Sequence, residues 1–183
     1  MFYILSEDFS LPSAKKVTYP ANMLRINYFL GKEIPSETPN IKVEISNKKI
    51  FLQDSIVNFD KLFFFNSKLI DIIVKNSRDP VQLYPIDIIT KKPTNSEAVY
   101  KLVVPLTALN CIDKAKSDII YSQNEVIIGI NRLFLDLKQV VDHDLFRIKD
   151  YPALTVVSEK LASIFIAEKI SGIKLIPVDK FKI

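Results

Sequence analysis

The sequence predicts an α+β fold in which two main helices pack on a mainly antiparallel sheet. Short apolar runs rich in β-branched and aromatic residues recur along the chain and predict about eight to ten strands. Only two segments carry apolar residues at the three- and four-residue spacing of a helix. Residues 60–87 also align without a gap on residues 152–179 when the first segment is moved forward by 92 positions. The chain is therefore predicted to contain two strand–helix–strand units.

The first unit, residues 60–87, begins with an uninterrupted apolar run at Leu62–Phe65, which is typical of a strand covered on both faces. This context favours a core position for Phe63-Phe64-Phe65 over an exposed interaction patch. Asn66 is the predicted N-cap of the helix, and Asp79-Pro80 is predicted to stop it. The buried helix face is predicted to be Leu69, Ile72 and Ile73, and the second strand Val81–Ile89.

The second unit, residues 152–179, repeats this order with Ser158 as the cap. Glu159 in the first turn complements the helix dipole, and Gly172 suits the left-handed conformation that ends many helices. The predicted buried face is Leu161, Ile164 and Phe165, and the predicted last strand is Ile173–Val178. We expect one domain over residues 1–183. A division into two pseudo-symmetric halves, about 1–92 and 93–183, is left open.

The segments outside the units are predicted mostly as strands. The N-terminal run Phe2–Leu5 and the alternating segment Ile41–Ser46 are strands by their patterns, and Ile50–Leu52 is expected to pair back as a hairpin. Asn22–Leu30 is predicted as irregular structure with a short element, a helix or a strand. Further predicted strands are Tyr100–Leu106, Ala108–Ala115, Asp118–Tyr121, Val126–Ile130, Arg132–Leu137 and Leu145–Ile148.

Composition excludes several classes of protein. The chain has 25 basic and 21 acidic residues, and their signs alternate, which indicates a mixed solvated surface and not a nucleic-acid-binding stripe. Three glycines are too few for a phosphate-binding loop, and one cysteine excludes a disulfide scaffold. The N-terminus does not resemble a signal peptide, and no apolar run approaches the ~18 residues of a membrane span. We expect a soluble, cytoplasmic protein.

No motif for catalysis, a metal or a cofactor stands out. The only histidine, His143, lies between Asp142 and Asp144, where a polar turn is the favoured interpretation over a metal site. The only cysteine, Cys111, is expected to be a small buried apolar residue, although a nucleophile with His143 as its base is the alternative. The aromatic–lysine neighbours Tyr100-Lys101 and Lys61…Phe63 are too sparse for base stacking. We therefore predict no catalytic, metal-binding or cofactor-binding residues.

Three stretches together carry a family resemblance: Tyr3–Phe9, Leu109–Ser117 and Leu145–Val178. They resemble the immunity protein eleven family of bacterial polymorphic-toxin systems, formerly a family of unknown function. The similarity runs nearly end to end and is strongest after residue 98. The chain departs from the family pattern in having no tryptophan and little glycine.

The resemblance implies that the chain neutralises a cognate secreted toxin, such as a type VI or contact-dependent effector, encoded by the adjacent gene. Binding of that toxin would need a rigid surface and no catalytic residue. Acidic residues expected in exposed loops, and so candidates for toxin contact, are Glu33, Glu37, Asp142 and Asp144. The toxin-binding surface itself and the oligomeric state are not predicted. The alternatives are a nucleic-acid-binding or regulatory module that uses the lysine excess, and an enzyme built on Cys111 and His143.

Overall fold

A computed structural model of the protein describes residues 1–20, 28–90 and 99–183. Within these ranges the chain forms thirteen strands, three α-helices and two 3₁₀ turns. The strands are β1 (Phe2–Glu7), β2 (Lys16–Thr18), β3 (Ile41–Ile45), β4 (Ser55–Ile56), β5 (Phe63–Asn66), β6 (Val81–Thr90), β7 (Tyr100–Pro105), β8 (Ala108–Leu109), β9 (Asp118–Tyr121), β10 (Ile127–Arg132), β11 (Leu145–Ile148), β12 (Thr155–Ser158) and β13 (Ile173–Pro177). The helices are α1 (Ser67–Asn76), α2 (Leu137–Val140) and α3 (Glu159–Ala167), and the 3₁₀ turns are Lys48–Leu52 and Val178–Lys180.

The strands form two large sheets and one ribbon. A six-stranded sheet has the order β2-β3-β6-β7-β5-β4, and a five-stranded sheet has the order β13-β1-β12-β11-β8. Strands β9 and β10 form a separate antiparallel ribbon. Only the β3–β6 and β8–β11 pairings are parallel among the described strands. The predicted α+β class with mainly antiparallel sheet is confirmed.

The predicted caps of both units are present, but Ile72 and Ile164 of the predicted buried faces are only half-buried, whereas Ile70 and Ala162 are buried. The side chains of Asn66 and Ser158 cap α1 and α3 by accepting hydrogen bonds from the amides of Leu69 and Leu161. Helix α1 ends at Asn76, before the predicted stop at Asp79-Pro80, and Phe63-Phe64-Phe65 is buried as expected. Gly172 has a φ of 83°, the left-handed conformation that the sequence predicted after the second helix.

The two units agree in register as well as in element order. Strand β5 begins at Phe63 and β12 at Thr155, and β6 begins at Val81 and β13 at Ile173, a spacing of 92 residues in both cases. A third strand lies between the two strands of each unit. Strand β7 separates β5 from β6, and β1 separates β12 from β13, with all four pairings antiparallel.

The third strands also match residue by residue. Tyr100 pairs with the cap Asn66, as Phe2 pairs with the cap Ser158. At the other end Pro105 pairs with Val81, as Glu7 pairs with the equivalent residue of β13. Strand β7 therefore follows the first unit in sequence, whereas its equivalent β1 precedes the second unit by most of the chain length. A division of the chain near residue 92 remains a prediction.

The two main helices contact each other reciprocally. Lys68 at the start of α1 donates a hydrogen bond to the carbonyl oxygen of Glu168 beyond the end of α3, at 2.8 Å. Lys160 at the start of α3 donates to the carbonyl oxygen of Asn76 at the end of α1, at 2.7 Å. Because these pairs occupy equivalent positions of the two units, they indicate an approximate twofold axis between antiparallel helices.

Two apolar clusters lie on opposite faces of the five-stranded sheet. Leu5, Leu145 and Val157 face the first cluster, which also contains the apolar residues of the six-stranded sheet and the buried faces of α1 and α3. The alternate residues Ile4, Phe146 and Val156 face the second cluster, which is completed by residues from the segment between β8 and β11. This sheet is therefore buried on both faces, and its strands read as continuous apolar runs.

Several predicted elements differ in the structure. Residues Ile50–Leu52 do not form a hairpin strand but lie in the 3₁₀ turn Lys48–Leu52, which Asn47 caps through its side chain. Strand β8 is limited to Ala108–Leu109, and the stretch predicted as a strand at Arg132–Leu137 instead leads into the short helix α2. The element predicted at Asn22–Leu30 lies mostly outside the described residues.

Candidate functional site

The three polar residues singled out around His143 take part in a connection between the two units. Asp144 is fully buried, and its carboxylate accepts hydrogen bonds from Ser158 Oγ at 2.8 Å and from Arg78 Nε at 2.8 Å. Burial alone would raise the pKa of Asp144, but the hydrogen bonds from Arg78 and Ser158 outweigh it and lower the pKa to about 2. Asp144 is therefore not the exposed loop contact that the sequence predicted.

His143 is held by the neighbouring carboxylate of Asp79. Nδ1 of His143 lies 2.6 Å from Oδ1 of Asp79, and the other carboxylate oxygen accepts hydrogen bonds from the amides of Asp144 and Leu145. Asp142 is exposed and lies 3.4 Å from Arg78 Nη1. The polar turn expected here is confirmed. No group of three or more metal-ligating side chains is found within residues 1–20, 28–90 and 99–183.

An equivalent connection is found on the first unit. Asp54 accepts a hydrogen bond from the cap Asn66, as Asp144 does from the cap Ser158. Its second carboxylate oxygen accepts from the amide and the hydroxyl of Ser171, in the segment after α3, both at 2.9 Å. Each aspartate precedes one unit and joins the cap of that unit to the segment that follows the other unit's helix. Both are structural groups, and no sequence motif marks the pairing.

Cys111 and His143 do not form the nucleophile–base pair that was the alternative prediction. Cys111 is fully buried in the second apolar cluster, and burial is the largest cause that raises the pKa of its thiol to about 12. A thiol with this pKa is not a thiolate at neutral pH. His143 instead has Asp79 as its partner. The expected role of Cys111 as a small buried apolar residue is confirmed.

Two further ionisable groups are buried near the first apolar cluster. Glu7 accepts hydrogen bonds through Oε1 from the amide and the side chain of Asn58, and burial raises its pKa to about 8. Arg147 is 1% exposed and lies over the ring of Tyr28, with 4.3 Å from Cζ to the ring centroid. These groups hold the packed interior and are not accessible to a partner.

The remaining candidates lie at the surface or in the core. Glu33 and Glu37 are exposed on either side of the buried Ile34, so they remain predicted contacts. Tyr100 is 3% exposed, and its hydroxyl donates to the carbonyl oxygen of Gln53 at 2.6 Å, so its ring is not available to stack on a base. The exposed aromatic pair Phe9 and Phe59, whose rings stack at 5.5 Å, was not singled out from the sequence.

A groove beside α2 is another accessible feature that the sequence did not predict. It consists of three adjoining cavities of about 330, 330 and 300 Å³. The first cavity shares Phe134 and Asp179 with the second, and Phe2 and Leu137 with the third. We call this continuous depression the α2 groove.

The lining of the α2 groove combines apolar and basic side chains. Leu137 is 67% exposed and Val141 is 65% exposed, which is high for large apolar residues on one patch. The basic side chains that line the three cavities are Arg78, Lys116, Arg132, Lys160, Lys180 and Lys182, and the carboxylates are Asp144, Glu159 and Asp179. The groove is therefore basic overall, with an apolar floor.

Among the described residues, no helix is long and apolar enough to cross a membrane. No curated protein matches the chain closely enough to count as a relative. The profile of an immunity protein family, by contrast, matches residues 11–180, which is nearly the whole sequence. That range includes both strand–helix–strand units, the two aspartates that connect them and most of the α2 groove. The chain therefore belongs to the Immunity protein family (Imm11).

Proposed function

We propose that this protein protects the cell that makes it by binding a cognate secreted toxin in a stoichiometric complex. The observation that carries the proposal is the family match over residues 11–180. The geometry is consistent with a binding role, because the buried polar residues serve to join the two units and the accessible groove presents contacts to a partner. The toxin would be a polymorphic or type VI effector encoded by the adjacent gene, and protection would take place in the cytoplasm.

Inhibition by contact requires an interface of ordinary size. Stable inhibitor complexes bury about 1,600 Å² in total, and a few anchor residues carry most of the binding energy. The side-chain caps, the reciprocal helix contacts and the two aspartate connections fix the described elements of this chain, so binding would cost little conformational entropy. The protein would then act without turnover.

The test is co-expression followed by measured binding. The neighbouring toxin gene is induced in cells with and without this chain, and survival is compared. The purified toxin, inactivated at its own catalytic residue, is titrated with the chain in a calorimeter. We expect survival only with the chain, and a defined molar ratio with a nanomolar dissociation constant. Survival without any measurable complex would contradict the proposal.

The alternative activities are separated by two controls. A nucleic-acid-binding module would bind a single-stranded oligonucleotide with an affinity that falls steeply with salt, since phosphate contacts release counterions. An enzyme built on Cys111 and His143 would lose protection in Cys111→Ala and His143→Ala. We expect weak oligonucleotide binding at about 150 mM salt, and protection that persists in both variants.

A further inference from the structure

We infer that the α2 groove is the toxin-binding surface and that it receives an acidic segment of the toxin with apolar anchor residues. This inference rests on the proposed function and specifies where the partner binds and which chemistry it presents. Three properties of the groove support it: the exposed apolar side chains, the charge, and the rigidity of the walls.

The apolar side chains supply the anchor positions. Leu137 is the first residue of α2 and Val141 follows its last turn, so both project from one short helix. Phe2 and Phe134, which are partly buried, also line the groove. The anchor residues of a partner displace water from large apolar side chains at the centre of such a concave patch. A partner that covers them would remove this apolar surface from water.

The charges define the partner. Arg132 and Lys182 line one end of the groove, and neither has a carboxylate partner in the described part of the chain. At the other end Lys160 donates to a backbone carbonyl oxygen and has no carboxylate partner among the described residues, while Asp144 is paired with Arg78 and Glu159 with the N-terminal amine. The groove thus offers uncompensated positive charge at both ends of an apolar floor. A partner with carboxylates spaced around apolar residues is complementary to it.

The same charges argue against two other occupants. A second copy of the chain, docked through the same groove, would bring six basic side chains opposite six others. Nucleic acid would contact the lysines and arginines but would leave Leu137 and Val141 against a phosphate backbone, with which apolar side chains make no favourable interaction. An acidic protein surface satisfies both the charged ends and the apolar floor.

The walls of the groove are held in place by the fold. The helix α2 begins at a capped position, where Asp136 accepts a hydrogen bond from the Lys138 amide. The backbone of Asp136 is itself bonded to the carbonyl oxygen of Cys111 in the second cluster. Ile183 exchanges two backbone hydrogen bonds with Ile130 of β10, which fixes the basic segment next to it. Anchor residues on elements fixed in this way lose little conformational entropy when a partner binds.

The experiment compares substitutions inside the groove with matched substitutions outside it. Leu137→Glu and Val141→Glu introduce one negative charge at exposed apolar positions of the groove. Val74→Glu on α1 and Ile166→Glu on α3 are the controls, since these residues are 60% and 64% exposed and do not line the groove. All four proteins are titrated with the inactivated toxin from the neighbouring gene, and their thermal unfolding is recorded.

We expect the groove variants to raise the dissociation constant by about 30-fold or more, as for interface anchors, and the controls to change it by less than about threefold. Glutamate at position 137 should not disturb folding, because an acidic residue in the first turn of a helix is favourable. Leu137→Ala, which adds no charge, should weaken binding less than Leu137→Glu does. Equal effects of groove and control variants would overturn the inference.

A second experiment tests the charge of the partner. Arg132→Glu and Lys182→Glu should slow association with the toxin by about tenfold at low salt, and the difference should shrink as salt is added. Lys32→Glu, at an exposed position outside the groove, is the matched control. Unchanged or faster association of the groove variants would mean that the partner surface is not acidic.

The outcomes separate this inference from the proposed function. Absence of any complex with the wild-type chain refutes the function itself. If the complex forms normally with every groove variant but is lost in Phe59→Ala, the proposed function stands and the toxin-binding surface is the exposed aromatic pair Phe9 and Phe59. A change of sedimentation state in the isolated Leu137→Glu variant would assign the groove to a second copy. Oligonucleotide binding that Arg132→Glu abolishes would assign it to nucleic acid.

Discussion

Replacement of Glu7 by glutamine is expected to make the protein more stable at alkaline pH. Glu7 is 5% exposed, and only Oε1 is used, by the amide and side chain of Asn58. In the described part of the chain, Oε2 has no hydrogen-bond partner. Glutamine has the same shape, preserves the acceptor toward Asn58 and carries no charge at any pH. The variant therefore isolates the cost of a buried carboxylate.

The size of the effect follows from the pKa of Glu7. Burial raises this pKa from 4.5 to about 8. The protonated form is favoured in the folded state, so the stabilising contribution is complete below pH 4.5 and is lost as the pH rises through 8. The rise in pKa from 4.5 to about 8 corresponds to a loss of about 5 kcal/mol in unfolding free energy as the pH rises across this range, at about 1.4 kcal/mol for each pH unit.

The assay is urea unfolding, followed by circular dichroism, of the wild type and Glu7→Gln at several pH values between about 5 and 9. The difference in unfolding free energy should be small at the acidic end and should grow in favour of glutamine with rising pH. Glu33→Gln, at an exposed position, controls for the loss of one carboxylate. A flat difference for Glu7→Gln across the range would refute the reasoning that Glu7 is buried and protonated.

Three further predictions concern the connection between the units, the close approach after α3, and the thiol. Asp144→Ala should lower the unfolding free energy by about 3 kcal/mol, because it leaves buried donors unpaired, whereas Asp142→Ala at the surface should change it by less than about 0.5 kcal/mol in the same urea titration. Gly172→Ala should lower the melting temperature more than Gly129→Ala does. A Cβ at Gly172 would clash with the backbone carbonyl oxygen of Ser55, and the φ there is +83°. A Cβ at Gly129 would meet only the side chain of Ile120, at 3.2 Å. Cys111 in the folded protein should react with a disulfide reagent only at the rate of unfolding, and a fast reaction at pH 8 would contradict the burial that raises its pKa to about 12.

Part of the fold follows from local patterns. The caps Asn66 and Ser158, the spacing of Leu69 and Ile73, and the glycine after α3 are each determined by neighbours within a few residues. The segment Ile50–Leu52 was predicted as a strand from its apolar residues, but Asn47 caps a 3₁₀ turn there, and a three-residue apolar run carries too little periodicity to distinguish the two.

The candidate site could not be predicted in the same way. Leu137 lies in a stretch whose apolar residues predicted a strand, and only the packing of Leu133 and Leu135 into the second cluster leaves Leu137 exposed. The basic ends of the groove come from positions far apart in sequence, such as Arg132 and Lys182. Asp144 was expected at the surface because its neighbours are polar, but Arg78 from the other unit buries it.

The sequence by itself determined the fold class, the two strand–helix–strand units and their spacing of 92 residues, because caps, helix faces and apolar runs are governed by interactions along a short length of chain. Only the tertiary structure decided that β1 completes the second unit, that each aspartate joins one unit to the other, and that a basic groove with exposed apolar residues opens beside α2. These features depend on pairing between distant segments, and the sequence pattern of a segment does not specify the partner against which it packs.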